Sequence, residues 1–435
     1  MITVGERNKE LVFLGEITLL LCAGCLLMAW NTGQSWWSAT WPILLLCAGA
    51  LAVHGFFRII GYRAGGAFLP LVVALNGIGL LTLQSVAPAL VIRQTLFGIL
   101  GLALWCGLAL SEIWQQLRHL RYICGVGTLV LLVVTALWGE RVGGAKAWLN
   151  IGGLQFQPSE PGKLLLVVFL AGILVDLTKA RATPTQSSRK EANVFPYLGP
   201  AVAVWTIAML TLVAQRDLGA AILFTGILVL MLVTALGSWW YLAWAALAGL
   251  AGSWAAVRFF DHVKVRFSTW INPWIDPTGR GYQLIQGLYG LAAGGITGVG
   301  PGRGMAHVVP AVGTDFILVA IAEEWGLAGI LVLLCCFLLL LWQGLHTALT
   351  TESEFGRLLA VGLAGMLWLQ VILVGGGITR LIPLTGITTP FVSYGGTSLV
   401  TNYAVVGLLA NISHSAALDG ESTASPERKA EMVYG

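Results

Sequence analysis

The stretch Leu218-Gly219-Ala220-Ala221-Ile222-Leu223-Phe224-Thr225-Gly226-Ile227-Leu228-Val229-Leu230-Met231-Leu232-Val233-Thr234-Ala235-Leu236 decides the fold. It carries no charge, and about 20 apolar residues are what a helix needs to cross the hydrocarbon core of a bilayer. Outward from it the pattern repeats. Comparable runs lie at about 11–30, 42–60, 67–87, 92–110, 121–138, 159–177, 196–214, 239–259, 315–342, 357–376 and 397–415. Hydrophobic residues make up 57% of the 435-residue chain and charged residues 10%, whereas a soluble domain has about 25% charged residues. The expected fold is therefore an all-α polytopic membrane protein of about twelve transmembrane helices. No cleaved signal peptide is expected, because the first apolar run is long enough to span and lacks a small-residue cleavage site.

Charge sets the expected orientation. Arg7, Lys9, Arg58, Arg63, Arg118, Arg121, Lys179, Arg181, Arg189, Lys190 and Arg357 fall on the side of the N-terminus, joined by Arg428 and Lys429 of the tail. The other side holds fewer in short loops, so the positive-inside rule places both termini in the cytoplasm. The polar stretch 178–195 then reads as a cytoplasmic linker, and 416–435 as a disordered cytoplasmic tail. The seven cysteines all lie in apolar segments and read as packing residues, without disulfides or a cysteine-bound metal.

Residues 261–314 interrupt the apolar pattern and read as a large ordered extracytoplasmic loop, since Trp270, Trp274 and Tyr282 argue against disorder. The glycine-rich run 284–300 is too short for another span and reads as a re-entrant or interfacial piece. Within the loop, Asp276-Pro277-Thr278-Gly279 is a turn signal holding a conspicuous carboxylate. On the same side lie the connection 139–158, Glu160 and Lys163 three residues apart on one helix face, Asp217 at a helix start, Thr314-Asp315, Glu323-Glu324 and the connection 377–396. Ionisable groups at membrane depth face a cavity or a partner. The glycine run Gly298 to Gly304 follows no strand and is not a nucleotide loop. The histidines show no metal-ligand spacing, and no basic stripe suggests nucleic acid. From the residues alone, transporter and membrane enzyme remain open.

Six motifs in order resemble the SEDS family (shape, elongation, division and sporulation proteins, including FtsW and RodA). They are Gly144-Ala145-Lys146-Ala147-Trp148; Phe156-Gln157-Pro158-Ser159-Glu160 with Lys163; Asp217-Leu218-Gly219; Asn272 to Gln283; Thr314-Asp315-Phe316-Ile317 with Glu323-Glu324; and Pro383 to Ser398. Arg216 stands where the family has proline, Thr389 where it has leucine, and residues 1–66 add a two-helix hairpin to a ten-helix core at 67–415. The resemblance implies a peptidoglycan glycosyltransferase that polymerises lipid II outside the cytoplasmic membrane into β-1,4-linked glycan, releasing undecaprenyl pyrophosphate, with a class B penicillin-binding protein as partner. It implies that Asp276 is the general base. It also implies that Lys146, Trp148, Glu160, Lys163, Asp217, Arg280, Tyr282, Gln283, Thr314, Asp315 and Ser393 bind substrate. Lys146, Lys163, Arg216 and Arg280 are the cations expected to meet the pyrophosphate, and a divalent ion, Mg²⁺ or Mn²⁺, could share that load; no ligand set is legible. The alternatives are a lipid II flippase and a non-catalytic scaffold for the penicillin-binding protein.

Overall fold

A computed structural model describes residues 4–64, 67–182 and 195–423. The expected linker at 178–195 therefore falls mostly outside the described residues, as does the tail beyond 423. The chain is helical nearly throughout: α1 (Val4–Thr32), α2 (Trp36–Ile59), α3 (Phe68–Val86), α4 (Val91–Leu110), the short α5 (Ile113–Leu117), α6 (Arg121–Trp138), α7 (Ser159–Ala182), α8 (Phe195–Gln215), α9 (Leu218–Leu236), α10 (Trp240–Phe259), α11 (Asp261–Ile271), α12 (Tyr282–Gly294), α13 (Ile317–Thr350), α14 (Glu354–Ile378) and α15 (Gly396–Thr423).

Eleven of these are long and apolar enough to cross a membrane, and the protein is a polytopic all-α membrane protein. The expected twelfth run is α15, which is not among the eleven. It carries polar residues that the bundle buries: Thr401, Asn402 and Asn411. Asn411 donates to the Leu108 carbonyl, and Tyr403 accepts from Asn76 at 2.8 Å. Buried by its neighbours, this helix does not need an apolar surface. It also continues to Thr423, past the expected start of the tail.

Three stretches differ from expectation. The connection 139–158 is a three-stranded antiparallel meander of β1 (Glu140–Val142), β2 (Ala145–Ile151) and β3 (Leu154–Phe156). Its turns are Gly143-Gly144 and Gly152-Gly153, all four with positive φ, the conformation that two-residue hairpins require. The expected loop at 261–314 contains two helices, α11 and α12, because its Asn-Pro and Asp-Pro turns punctuate helices rather than replace them. Finally, α13 is broken at Gly326 (φ 65°, ψ −164°). There the segment 295–300 folds back into the break. Val299 and Gly300 donate to the carbonyls of Glu323 and Glu324, while Leu327 and Ala328 donate to those of Gly295 and Ile296. Of the run 284–300, expected to be re-entrant or interfacial, residues 284–294 belong to helix α12, and only 295–300 fold into the break, where they satisfy the backbone groups it releases.

Helix α7 is the centre of the bundle, buried along most of its length, with α14 and α15 beside it. At the rim, α10 has no buried residue among its described side chains. Close approach between elements depends on small residues. A Cβ added to Gly79 of α3 would sit 2.4 Å from the Val392 carbonyl oxygen. Gly79→Ala should therefore destabilise the protein by about 1–3 kcal/mol. Gly55→Ala, where nothing lies within 4 Å, should not. Thermal unfolding in detergent separates the two, and equal midpoints would contradict the packing described.

Candidate active site

Elements from one end of the bundle converge on a cavity of about 840 Å³. The start of α4, the meander, the α8–α9 turn, α11, the start of α12 and the loops 311–315 and 384–396 make its walls. Four guanidinium groups line it, from Arg93, Arg216, Arg266 and Arg280, against two carboxylates, Asp217 and Asp315. Phe97, Trp148, Leu384 and Ile387 supply apolar surface. The site is thus shaped for an anionic ligand with an apolar portion.

Asp217 caps α9, its Oδ1 accepting the Ala220 N–H at 3.0 Å. Burial pushes its carboxyl up; the Ala220 N–H and the nearby Arg266 guanidinium oppose this. Asp315 precedes α13, and its Oδ1 accepts the Thr314 hydroxyl at 2.6 Å. Burial also raises Asp315, against the hydrogen bond from Thr314 and the charge of Arg266. Arg266 therefore acts on both carboxylates, and it donates to the Leu384 carbonyl at 3.3 Å. Arg216 has φ 63°, which a proline ring, fixed near −65°, cannot adopt. A proline at this position would therefore require a different turn.

Of the residues singled out from sequence, Trp148, Arg216, Asp217, Arg280, Gln283, Thr314 and Asp315 line the cavity. The others lie elsewhere. Glu160 and Lys163, expected to line it, lie beneath its floor. Lys163, 1% exposed, donates to Glu160 Oε2 at 2.6 Å and to Gln370 Oε1 at 2.9 Å. Gln370 in turn reaches the carbonyl of the cavity residue Thr388. Lys146 turns away and donates to the Ala136 and Leu137 carbonyls at the end of α6. Ser393 is a tie, donating to the Thr314 carbonyl and accepting the Thr389 N–H at 2.9 Å. Tyr282 opens α12 outside the lining, while Gln283 donates to the Pro310 carbonyl at 3.0 Å.

Asp276 is exposed and is not among the lining residues. Its carboxylate lies over Gly279 and accepts the Arg280 N–H at 3.0 Å. It builds the turn that presents Arg280. Sequence reasoning did not pick out Arg93 or Arg266 as site residues. A lone arginine at the start of an apolar run was the available signal for Arg93. Arg266 sits on an ordinary-looking polar helix.

The Glu160–Lys163 pair spans no loop, yet it holds the floor. Breaking a buried pair leaves an uncompensated charge, at a cost of about 3–5 kcal/mol. Glu160→Gln and Lys163→Met should each lower stability and activity, and the double change should recover most of the stability. Thermal midpoints and polymer yield, measured in parallel, check this; single variants indistinguishable from wild type would refute it.

A "Cell cycle protein" family model, FtsW/RodA/SpoVE, matches residues 64–418. The chain is 36% identical over 433 residues to the peptidoglycan glycosyltransferase RodA of Mycobacterium tuberculosis, covering 94% of this chain and 91% of that protein. It is 34% identical over 305 residues to the stage V sporulation protein E of Bacillus subtilis, covering 69% and 80%. Among solved structures it is similar to a peptidoglycan synthase complex that coordinates polymerization and crosslinking (TM-score 0.68, 30% identity, 81% of this chain, 98% of that chain). It is also similar to the rod shape determining protein RodA of Thermus thermophilus (TM-score 0.58, 29% identity, 82% and 97%). With most of its length matched in sequence and in fold, the chain belongs to the FtsW/RodA/SpoVE family.

Proposed function

We propose that this protein is a peptidoglycan glycosyltransferase that polymerises lipid II in the arginine-lined cavity. The observation that carries this reading is the convergence of four arginines and two carboxylates, Asp217 and Asp315, on one cavity that also has apolar walls. The reaction forms a bond between the 4-hydroxyl oxygen of an N-acetylglucosamine and C1 of an N-acetylmuramic acid. It breaks the bond from C1 to undecaprenyl pyrophosphate, and inversion at C1 gives the β-1,4 link. Charge develops on the departing pyrophosphate, where preorganised cations act most strongly. Arg93, Arg216, Arg266 and Arg280 are suited to that task, while Lys146 and Lys163 are engaged elsewhere.

The hydroxyl proton needs a base. Asp276 was the expectation from the resemblance, but we favour Asp315, because it lines the cavity and burial raises its carboxyl from the ordinary aspartate value. Asp217 is the other carboxylate there, with one oxygen committed to capping α9. A divalent cation fits this donor set as a shared ligand. Among the described residues no three His, Cys, Asp or Glu side chains gather to hold a metal, but one or two carboxylates plus substrate phosphates are a usual arrangement for Mg²⁺. Asp217, through the oxygen not committed to the α9 cap, would hold it together with the substrate phosphates, and it would add positive charge at the pyrophosphate.

The resemblance to a chain of a synthase complex supports a class B penicillin-binding protein as partner. Charge in the short loops supports an extracytoplasmic cavity with both termini cytoplasmic. In intact cells an impermeant thiol reagent should label a cysteine introduced at Thr278, near the cavity, and not one at Glu352, beyond the far end of α13. The reverse pattern would invert the topology.

Asp315→Asn keeps size and removes basicity. Purified Asp315→Asn should polymerise lipid II at least about 10²-fold more slowly while binding it normally. A base must be ionised, so the wild-type rate should rise with pH through a value above the ordinary carboxylate range, and that limb should vanish in the variant. Asp276→Asn should retain most of the rate, because asparagine also forms the turn. Loss in Asp276→Asn with none in Asp315→Asn would return the role to Asp276. Loss of lipid II translocation in vesicles, with glycan synthesis intact, would point to a flippase.

A further inference from the structure

We propose that the N-terminal hairpin α1–α2, which lies outside the region matched by the family model, braces the 295–303 turn and so positions the Asp315 wall of the cavity, with Asn31 as the positioning residue. The last turn of α1 sits on that segment. Asn31 Nδ2 donates to the Pro301 carbonyl at 2.8 Å. A Cβ built on Gly302 would meet the Thr32 methyl at 2.6 Å and Met28 Cγ at 3.1 Å, so the helix end and the turn are in direct contact. Lower on α1, a Cβ on Gly24 would meet Leu81 at 2.8 Å and Trp325 at 3.5 Å, the residue just before the break in α13. Cys25 donates weakly to Gln84 of α3, and Ser85 beside it donates to Glu324.

From the turn the path to the cavity is short. The Val299 and Gly300 amides bond to the Glu323 and Glu324 carbonyls, and the Met305 amide to Glu323 Oε1 at 3.0 Å. The chain then passes one 3-10 turn (Ala306–Val308) and reaches Ala311, Thr314 and Asp315 in the cavity wall. Gly302 and Gly300 take positive φ and cannot hold this conformation through side-chain packing of their own. Backbone bonds to α13 fix Gly300, and contact from α1 at Pro301 and Gly302 restrains the rest of the turn. Asn31 is half-buried and its donor has one partner, so its removal tests the brace with little disturbance to the core.

The inference rests on the cavity being the polymerisation site. Asn31→Asp keeps the side chain's size but presents an acceptor to the Pro301 carbonyl. In the full-length protein, hydrogen–deuterium exchange of the 298–305 amides should accelerate about five-fold. The kcat for lipid II polymerisation should fall by about the same factor, with KM and the thermal midpoint near wild type. Asn31→Ala, which adds no charge, should give a smaller change in the same direction and serves if Asn31→Asp does not fold. Unchanged exchange would overturn the brace; faster exchange with unchanged kcat would overturn its role in the reaction. A purely structural role would lower the midpoint and leave kcat per folded molecule unaltered, which also overturns it. The exchange result is independent of the base assignment, because it can be repeated in Asp315→Asn. Activity retained by Asp315→Asn would remove that base and leave the Asn31 result standing.

Discussion

A bilayer offers no water to a stray backbone N–H, and the active end of this protein is arranged around that constraint. Where the helical ladder fails at Gly326, four hydrogen bonds from the 295–300 segment replace it. The repair packs the 295–300 loop into the break, and the chain then runs on to Ala311, Thr314 and Asp315 in the cavity wall.

Charge follows the same logic. Lys163 is buried and survives because Glu160 and Gln370 take its protons' bonds. That network is a foundation, tying α7 to α14 and to the loop that carries Thr388. Above it the charges are unequal, with four arginines against two carboxylates. An excess of fixed cations in a partly desolvated cleft favours an anion strongly, whereas a balanced set would neutralise itself. Arg266, acting on both carboxylates and bonded to the 384 loop, links charge to wall shape.

Much of the architecture was legible in sequence because spanning helices must be both long and apolar. The run at 397–415 reads in the same way and is the helix α15, although it is less apolar than the other eleven. Because neighbours bury that helix, Thr401, Asn402 and Asn411 are tolerable in it. The meander was legible and overlooked: two Gly-Gly pairs flanked by pairing residues mark hairpins with mirror-image turns. For the site, the expectation of Asp276 as general base came from the family resemblance, while its Asp-Pro-Thr-Gly setting alone signals a turn. The placement of the partly buried Asp315 in the cavity wall is not visible along the chain; it depends on the 311–315 segment meeting α11 and Ser393 from distant parts of the sequence. Arg93 and Arg266 were missed for the same reason. Their meaning lies in which way they point.

The break at Gly326 also bears on how the chain is made. The part of α13 before it, from Ile317, is too short to cross a bilayer. The part after it runs from Leu327 to Thr350, about 36 Å at 1.5 Å per residue, and suffices alone. The insertion machinery therefore needs to recognise only the later portion. Glu323 and Glu324 lie in the earlier one, so two adjacent acids never have to be presented to lipid as part of an inserting span. They can wait outside until α1, α3 and the 295–303 turn have formed a place for them. Division of one long helix into an inserting half and a folding half leaves Glu323 and Glu324 in the folding half, where two buried carboxylates do not obstruct the chain's own biogenesis.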